Sequence, residues 1–232
     1  MIFFDIDGTL VDHEKAQYIA AAAFQKKHAA RFPEPTETFL ARWHALAEKH
    51  FERYVKGLTT EEGKRRDRLR ELFGEQDMPD AQADEIFGYF MRGYEENWEA
   101  YPDVMDCLRR LRGRPLGVIT NGGAEQQRDK LRRVKINQYF SVVVISGVVG
   151  VAKPDAGIFS LAAERAGVEP KGCVYVGDRR ETDAVAAQRA GFRGIWLDRK
   201  EESSDERDVP VLRSLRDLPD LLIGPPLNAD IG

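Results

Sequence analysis

Residues 1–10 read Met1-Ile2-Phe3-Phe4-Asp5-Ile6-Asp7-Gly8-Thr9-Leu10. Three large apolar residues run together and stop at an aspartate. An unbroken apolar run of this length is what a strand covered on both faces looks like. Its carboxyl end then carries Asp5, Asp7, Gly8 and Thr9. In open parallel sheets, ligands bind where strands end and loops leave for helices. The same pattern recurs downstream. Leu116-Gly117-Val118-Ile119 stops at Thr120-Asn121-Gly122-Gly123. Val142-Val143-Val144-Ile145 gives way to Ser146, with Lys153-Pro154 beyond it. Cys173-Val174-Tyr175-Val176 stops at Gly177-Asp178, with Asp183 five residues on. A further run, Ile195-Trp196-Leu197, follows. Helical patterns separate these runs, which predicts an α/β fold: a Rossmann-like parallel sheet with helices on both faces.

Between the first run and the rest lies a stretch with helical period only. Phe39, Trp43, Leu46, Ala47, Phe51, Tyr54 and Val55 recur at three and four residues, the spacing of one helix face. Thr59 with Glu62 reads as a capping box for a helix carrying Leu69, Leu72 and Phe73. Pro79-Asp80 opens another, with Ile86, Phe87, Phe90, Tyr94 and Trp98 on one side. With an Ala-rich helix over 14–30, four helices are expected. The expected organisation is a discontinuous core, 1–13 plus 100–222, interrupted by an all-helical insertion over 14–99. The tail, 223–232, contains Pro225-Pro226 and is expected to fray.

Composition narrows the function. The chain has 232 residues and is 42% hydrophobic, enough for a sizeable core. Its 35 Lys and Arg nearly balance 39 Asp and Glu, a net charge of −4, which argues against nucleic-acid binding. No apolar run approaches the ~20 residues of a membrane span, so no membrane partner is expected. The N-terminus lacks a basic and apolar leader, and the two cysteines, Cys107 and Cys173, make no disulfide framework; a cytoplasmic location is expected.

Asp5, Asp7 and Asp178 gathered at one sheet edge would repel each other. Two unit charges ~4 Å apart cost about 4 kcal/mol at an effective dielectric of ~20. Such a cluster calls for a cation. Oxygen-only donors suit Mg²⁺, because the four histidines, at 13, 28, 44 and 50, follow no core strand. Facing the carboxylates, the Thr120 hydroxyl, the amides of Asn121 and Gly122, and the Lys153 ammonium suit a phosphate dianion. A carboxylate in such a site can itself attack phosphorus.

In order and spacing, these residues resemble the haloacid dehalogenase superfamily in its phosphatase branch. The resemblance rests on Asp5-Ile6-Asp7-Gly8-Thr9-Leu10, Thr120-Asn121-Gly122, Lys153-Pro154, and Gly177-Asp178 with Asp183. It implies a magnesium-dependent hydrolysis of a small soluble phosphomonoester through an aspartyl-phosphate. By that resemblance Asp5 is the nucleophile, and Asp7 is the acid for the leaving alkoxide and then the base for water. Asp5, Asp7 through its main-chain carbonyl, and Asp178 hold Mg²⁺. Asp183 lies behind them or reaches the metal through water. Thr120, Asn121, Gly122 and Lys153 clamp the phosphate. The helical insertion resembles a cap that selects the leaving group. Asp7 favours a phosphate ester over a carbon–halogen bond, because a halide leaves without a proton donor. The outline is similar to phosphatases of nucleoside monophosphates and sugar phosphates. A phosphomutase using the same intermediate, or a phosphate-binding regulatory module, are the alternatives. Arg179 departs from the small residue common after the Asp178 position, which bears on the hydrogen bonds behind the metal. Arg65, Arg66, Arg68 and Arg70 read as a solvated helix face, or as a source of a substrate contact. The sequence does not show the oligomeric state.

Overall fold

The computed structural model describes residues 1–201 and 208–223; the tail expected to fray lies, from 224 onward, outside them. The chain runs β1 (Ile2–Phe4), α1 (His13–Lys27), α2 (Thr36–Val55), α3 (Glu61–Phe73), α4 (Asp80–Glu96), α5 (Val104–Arg110), β2 (Leu116–Thr120), α6 (Ala124–Arg133) and β3 (Val142–Ile145). It continues through the single turn α7 (Ser146–Val149), α8 (Ala156–Ala166), β4 (Val174–Gly177), a π-helical turn (Arg180–Val185), α9 (Ala186–Arg189), β5 (Arg193–Leu197), β6 (Val211–Leu212) and α10 (Leu218–Ile223). These elements form two compact units, Asp12–Glu99 and the remainder of the chain.

The α/β unit is built on a six-stranded sheet in the order β3-β2-β1-β4-β5-β6, parallel throughout. All three residues of β1 and all five of β2 are buried, as their unbroken apolar sequences require. β1 lies at the centre, with Phe4 opposite Val118 on one side and Val176 on the other. The chain order reverses there, which is where such sheets open a crevice at the strands' carboxyl ends. The ladder runs one residue past β1, since the Asp5 amide donates to the Val176 carbonyl at 2.9 Å. Two features were not legible as apolar runs. β6 is only two residues long, and the polypeptide after β4 opens in a π-helical turn before α9.

The helical unit packs an aromatic core. Phe24 lies 5.0 Å from Trp43, centroid to centroid, and Trp43 lies 4.6 Å from Phe90. The Ala-rich face of α1 brings its backbone close to α4: a Cβ built on Gly93 would sit 3.5 Å from the Ala20 Cβ. Helix α3 is capped by Thr60, not by Thr59 as the capping-box spacing suggested, and the Thr60 hydroxyl accepts the Gly63 amide at 3.0 Å. The arginines of α3 do not all lie on a solvated face. Arg66 bridges Asp80 and Asp84, and Arg70 joins Asp80. Arg68 instead faces inward with Leu69 and Leu72, its guanidinium 4.0 Å from the Trp43 ring centre. Burial brings its pKa down to about 9. Among the described residues, no helix is long and apolar enough to cross a membrane.

Candidate active site

The loops leaving β1, β2 and β4, with the segment after α7, meet at the carboxyl edge of the sheet. The turn after β1 is tight: the amides of Leu10 and Val11 both donate to the Ile6 carbonyl at 2.8 Å. Gly8 takes a φ of +81°, a conformation only glycine adopts without strain, and packs on the Asp178 carboxylate. The Thr9 hydroxyl donates to Asp178 Oδ1 at 3.4 Å, and the Trp196 indole pins the Asp178 carbonyl at 2.9 Å.

Carboxylate oxygens of Asp5, Asp178 and Asp183 lie within 4.8 Å of one another. Burial, then the neighbouring Asp183 and Asp5, hold Asp178 well above the usual carboxylate range. Burial pushes Asp5 up to about 6, against the pull of Lys153. A crowded oxygen-only set of this kind fits a hard divalent cation, and Mg²⁺ suits it by donor chemistry.

Lys153 sits under the cluster, almost fully buried. Its ammonium donates to Asp5 Oδ1 at 2.9 Å, Asp183 Oδ1 at 2.5 Å and the Tyr175 hydroxyl at 2.7 Å. Burial alone would favour the neutral amine, but Asp183 and Asp5 outweigh it and raise the Lys153 pKa. Tyr175 donates in turn to the Ile119 carbonyl at 2.9 Å. Asp183 Oδ2 accepts the Arg179 amide at 3.0 Å. That bond comes from the backbone, so the arginine side chain at 179 leaves it intact.

The other expected residues are placed as follows. Asn121 spends both ends of its side chain on the Lys153 backbone, donating to the carbonyl at 2.9 Å and accepting the amide at 2.8 Å. It is therefore a latch that holds the Lys153 loop to the end of β2. The amide of Gly122 was expected to face a phosphate. It donates instead to the buried Ser146 hydroxyl at 2.9 Å, because β3 ends beside it. The Thr120 hydroxyl is buried at the end of β2. The Asp7 carboxylate is not part of the cluster. Lys130 Nζ donates to its two oxygens at 2.6 and 2.7 Å, and Gln127 Nε2 donates to Oδ2 at 2.9 Å.

Tyr175, Gln127 and Lys130 were not singled out from the sequence. Tyr175 stands inside an apolar strand, where its hydroxyl gives no periodic signal. Gln127 and Lys130 did leave a trace. Over Ala124–Arg133, Leu131 is the only large apolar residue, so any inward face of that helix had to include polar side chains.

A family model described as haloacid dehalogenase-like hydrolase matches residues 1–191. The chain belongs to that family and is an enzyme of the hydrolase class. It is 34% identical over 217 residues to the glyceraldehyde 3-phosphate phosphatase of Methanopyrus kandleri, covering 90% of each. It is 34% identical over 186 residues to the phosphoserine phosphatase of Thermus thermophilus, covering 79% of this chain and 68% of that one. Among solved structures, a 2-haloacid dehalogenase from Pseudomonas syringae pv. Tomato superposes with a TM-score of 0.70 at 30% identity, over 96% of this chain and 97% of that one.

Proposed function

We propose that this enzyme is a magnesium-dependent phosphatase that hydrolyses a small phosphomonoester through an aspartyl-phosphate on Asp5. Asp5, Asp178 and the main-chain carbonyl of Asp7 would hold the cation, with Asp183 behind them or sharing it. When bound, Mg²⁺ would offset the repulsion between these carboxylates and a phosphate dianion. Asp5 is the nucleophile: the 2.9 Å bond from Lys153 fixes the position of its Oδ1, and the ammonium favours its ionised form against the effect of burial. Attack by the other oxygen forms the P–O bond to Asp5 as the ester P–O bond breaks. Asp7, ion-paired with Lys130, takes up the acidic proton of a monoanionic ester and hands it to the departing alkoxide, then takes one from the water that attacks the aspartyl-phosphate. The Thr120 hydroxyl would donate to a phosphoryl oxygen, and the Lys153 ammonium, its three donors spent on Asp5, Asp183 and Tyr175, would offset the phosphate charge from beneath. The helical unit is proposed as the cap that selects the leaving group. The phosphatase names of the relatives support small phosphate monoesters as substrates.

The single observation that carries this reading is the second carboxylate, Asp7, held apart from the cluster of Asp5, Asp178 and Asp183. A dehalogenase reading is raised by the Pseudomonas structure. It has no use for an acid beside the nucleophile, since halide needs no proton. A Mg²⁺-supplemented screen over glyceraldehyde 3-phosphate, phosphoserine, sugar phosphates and deoxyribonucleoside monophosphates, with 2-chloropropionate alongside, tests the choice. Phosphate release that a chelator abolishes, and that Asp5→Asn removes without unfolding the protein, is expected. Chloride release without phosphate release would overturn the reading.

A further inference from the structure

Helix α6 buries a lysine where a helix against a sheet ordinarily buries an aliphatic side chain. Lys130 and Gln127 are each 1% exposed and stand three residues apart, on one face of the helix. An ammonium is kept there only with a partner, and the partner is Asp7, contacted through both carboxylate oxygens at 2.6 and 2.7 Å. Gln127 Nε2 stands within hydrogen-bond reach of three oxygens: Asp7 Oδ2 at 2.9 Å, Thr120 Oγ1 at 3.1 Å and Asn121 O at 2.9 Å. With two protons the amide serves two of these at a time, and the two shorter contacts tie the carboxylate of Asp7 to the Asn121 carbonyl just past β2, beside the Thr120 hydroxyl.

Asp7 has two side-chain torsions and is partly open to solvent. Unheld, it could turn toward solvent or toward the other carboxylates. A proton donor works only within about 2.6–3.2 Å of the oxygen it serves. Two bonds from Lys130 and one from Gln127 fix both torsions and leave the carboxyl beside Thr120. We propose that Lys130 and Gln127 are positioning residues that orient Asp7 for proton transfer to the leaving group. The inference rests on the phosphatase reading of the site and adds to it the residues that make Asp7 effective.

The test compares two leaving groups. p-Nitrophenolate departs without a proton, whereas the alkoxide of an alkyl phosphate such as glycerol phosphate does not. The value of kcat/KM covers the steps through departure of the alcohol, so it isolates the acid's contribution. Lys130→Met is expected to lower kcat/KM for the alkyl phosphate by ~10- to 100-fold, part of the 10²–10⁴ that general acid–base catalysis supplies. The value for p-nitrophenyl phosphate should move less than about 5-fold, a smaller change because that substrate needs no proton. Gln127→Leu should show the same bias and decides the matter if Lys130→Met does not fold. In an Asp7→Asn background, adding Lys130→Met should cost nothing further, since the residue acts through Asp7. Equal losses on the two substrates, or a further loss in the Asp7→Asn background, would overturn the positioning role. A wild-type enzyme that releases phosphate from neither substrate, nor from any other phosphomonoester, would instead remove the phosphatase reading beneath it.

Discussion

Gly8 and Asp178 meet so closely that no side chain fits between them. A Cβ built on Gly8 would overlap both oxygens of the Asp178 carboxylate, and the Gly8 backbone already sits at a φ of +81°. Gly8→Ala should therefore act twice. The left-handed backbone costs about 1–2 kcal/mol for an L-residue, and the methyl group must push Asp178 away from Asp5. Misplacing a reacting group by ~1 Å can cost on the order of 10²-fold in rate. The expected outcome is a protein that still folds, unfolds at lower urea, and turns over phosphate at least ~10²-fold more slowly. Wild-type turnover in this variant would show that the close approach has no part in the chemistry.

The sheet was legible because its strands are covered on both faces. Each of β1, β2, β3 and β4 is an apolar run that stops at a polar residue, and that stop is where the site lies. The side-chain partners were less legible, because pairing in space leaves no mark in periodicity. Asn121 could be read as a polar residue at a strand end, but not as a latch on the Lys153 backbone. The Gly122 amide looked available until β3 brought Ser146 beside it. Lys130 and Gln127 are the instructive case. A helix with a single large apolar residue still has an inward face, and what fills it must be polar and paired. Arg68 teaches the converse, since one turn of a basic helix can face an aromatic core when rings, a main-chain carbonyl and the nearby Glu48 charge together support the guanidinium.

The carboxylate cluster should weaken the metal-free protein. Burial and the neighbouring Asp183 and Asp5 hold the Asp178 pKa well above the usual range, so folding with this group ionised is unfavourable. Asp178→Asn removes one charge from three whose oxygens lie within 4.8 Å. In the presence of a chelator at pH 7, this variant should be as stable as the wild type or more so, a gain of the size functional sites commonly give up, roughly 0.5–2 kcal/mol. Mg²⁺ should reverse the order. At about 100 times its dissociation constant, a ligand of the folded state contributes about 2.7 kcal/mol, and the variant should lose most of that shift. Thermal melts with and without Mg²⁺ measure both. A variant less stable than the wild type in chelator would mean that Asp178 contributes more through its contacts with Thr9 than it costs in repulsion.

Asp103 anchors the turn after β1 from outside the cluster. Its carboxylate accepts Arg199 Nη1 at 2.8 Å and Nη2 at 3.0 Å, the Ser214 hydroxyl at 2.8 Å and the Leu215 amide at 2.9 Å. Arg199 Nη2 also donates to the Thr9 carbonyl at 2.9 Å, so the pair ties the Asp5–Asp7 turn to the start of α5. Burial alone would raise the Asp103 pKa, but the bonds from Arg199 and Ser214 outweigh it and hold it below the usual carboxylate range. A carboxylate whose folded pKa is depressed contributes stability that is present above its unfolded pKa, ~3.9. That contribution is lost as pH falls through the lower, folded value. Asp103→Asn should cost about 1.5–3 kcal/mol at pH 7, the range for hydrogen bonds to a charged group. The gap should stay constant down to about pH 4 and shrink below it, where the wild-type carboxylate is protonated too. Urea unfolding of both proteins across that range measures the gap. If it were unchanged at the acidic end, the stabilisation would come from shape and packing at α5, and the charge on Asp103 would have no share in holding the Thr9 turn.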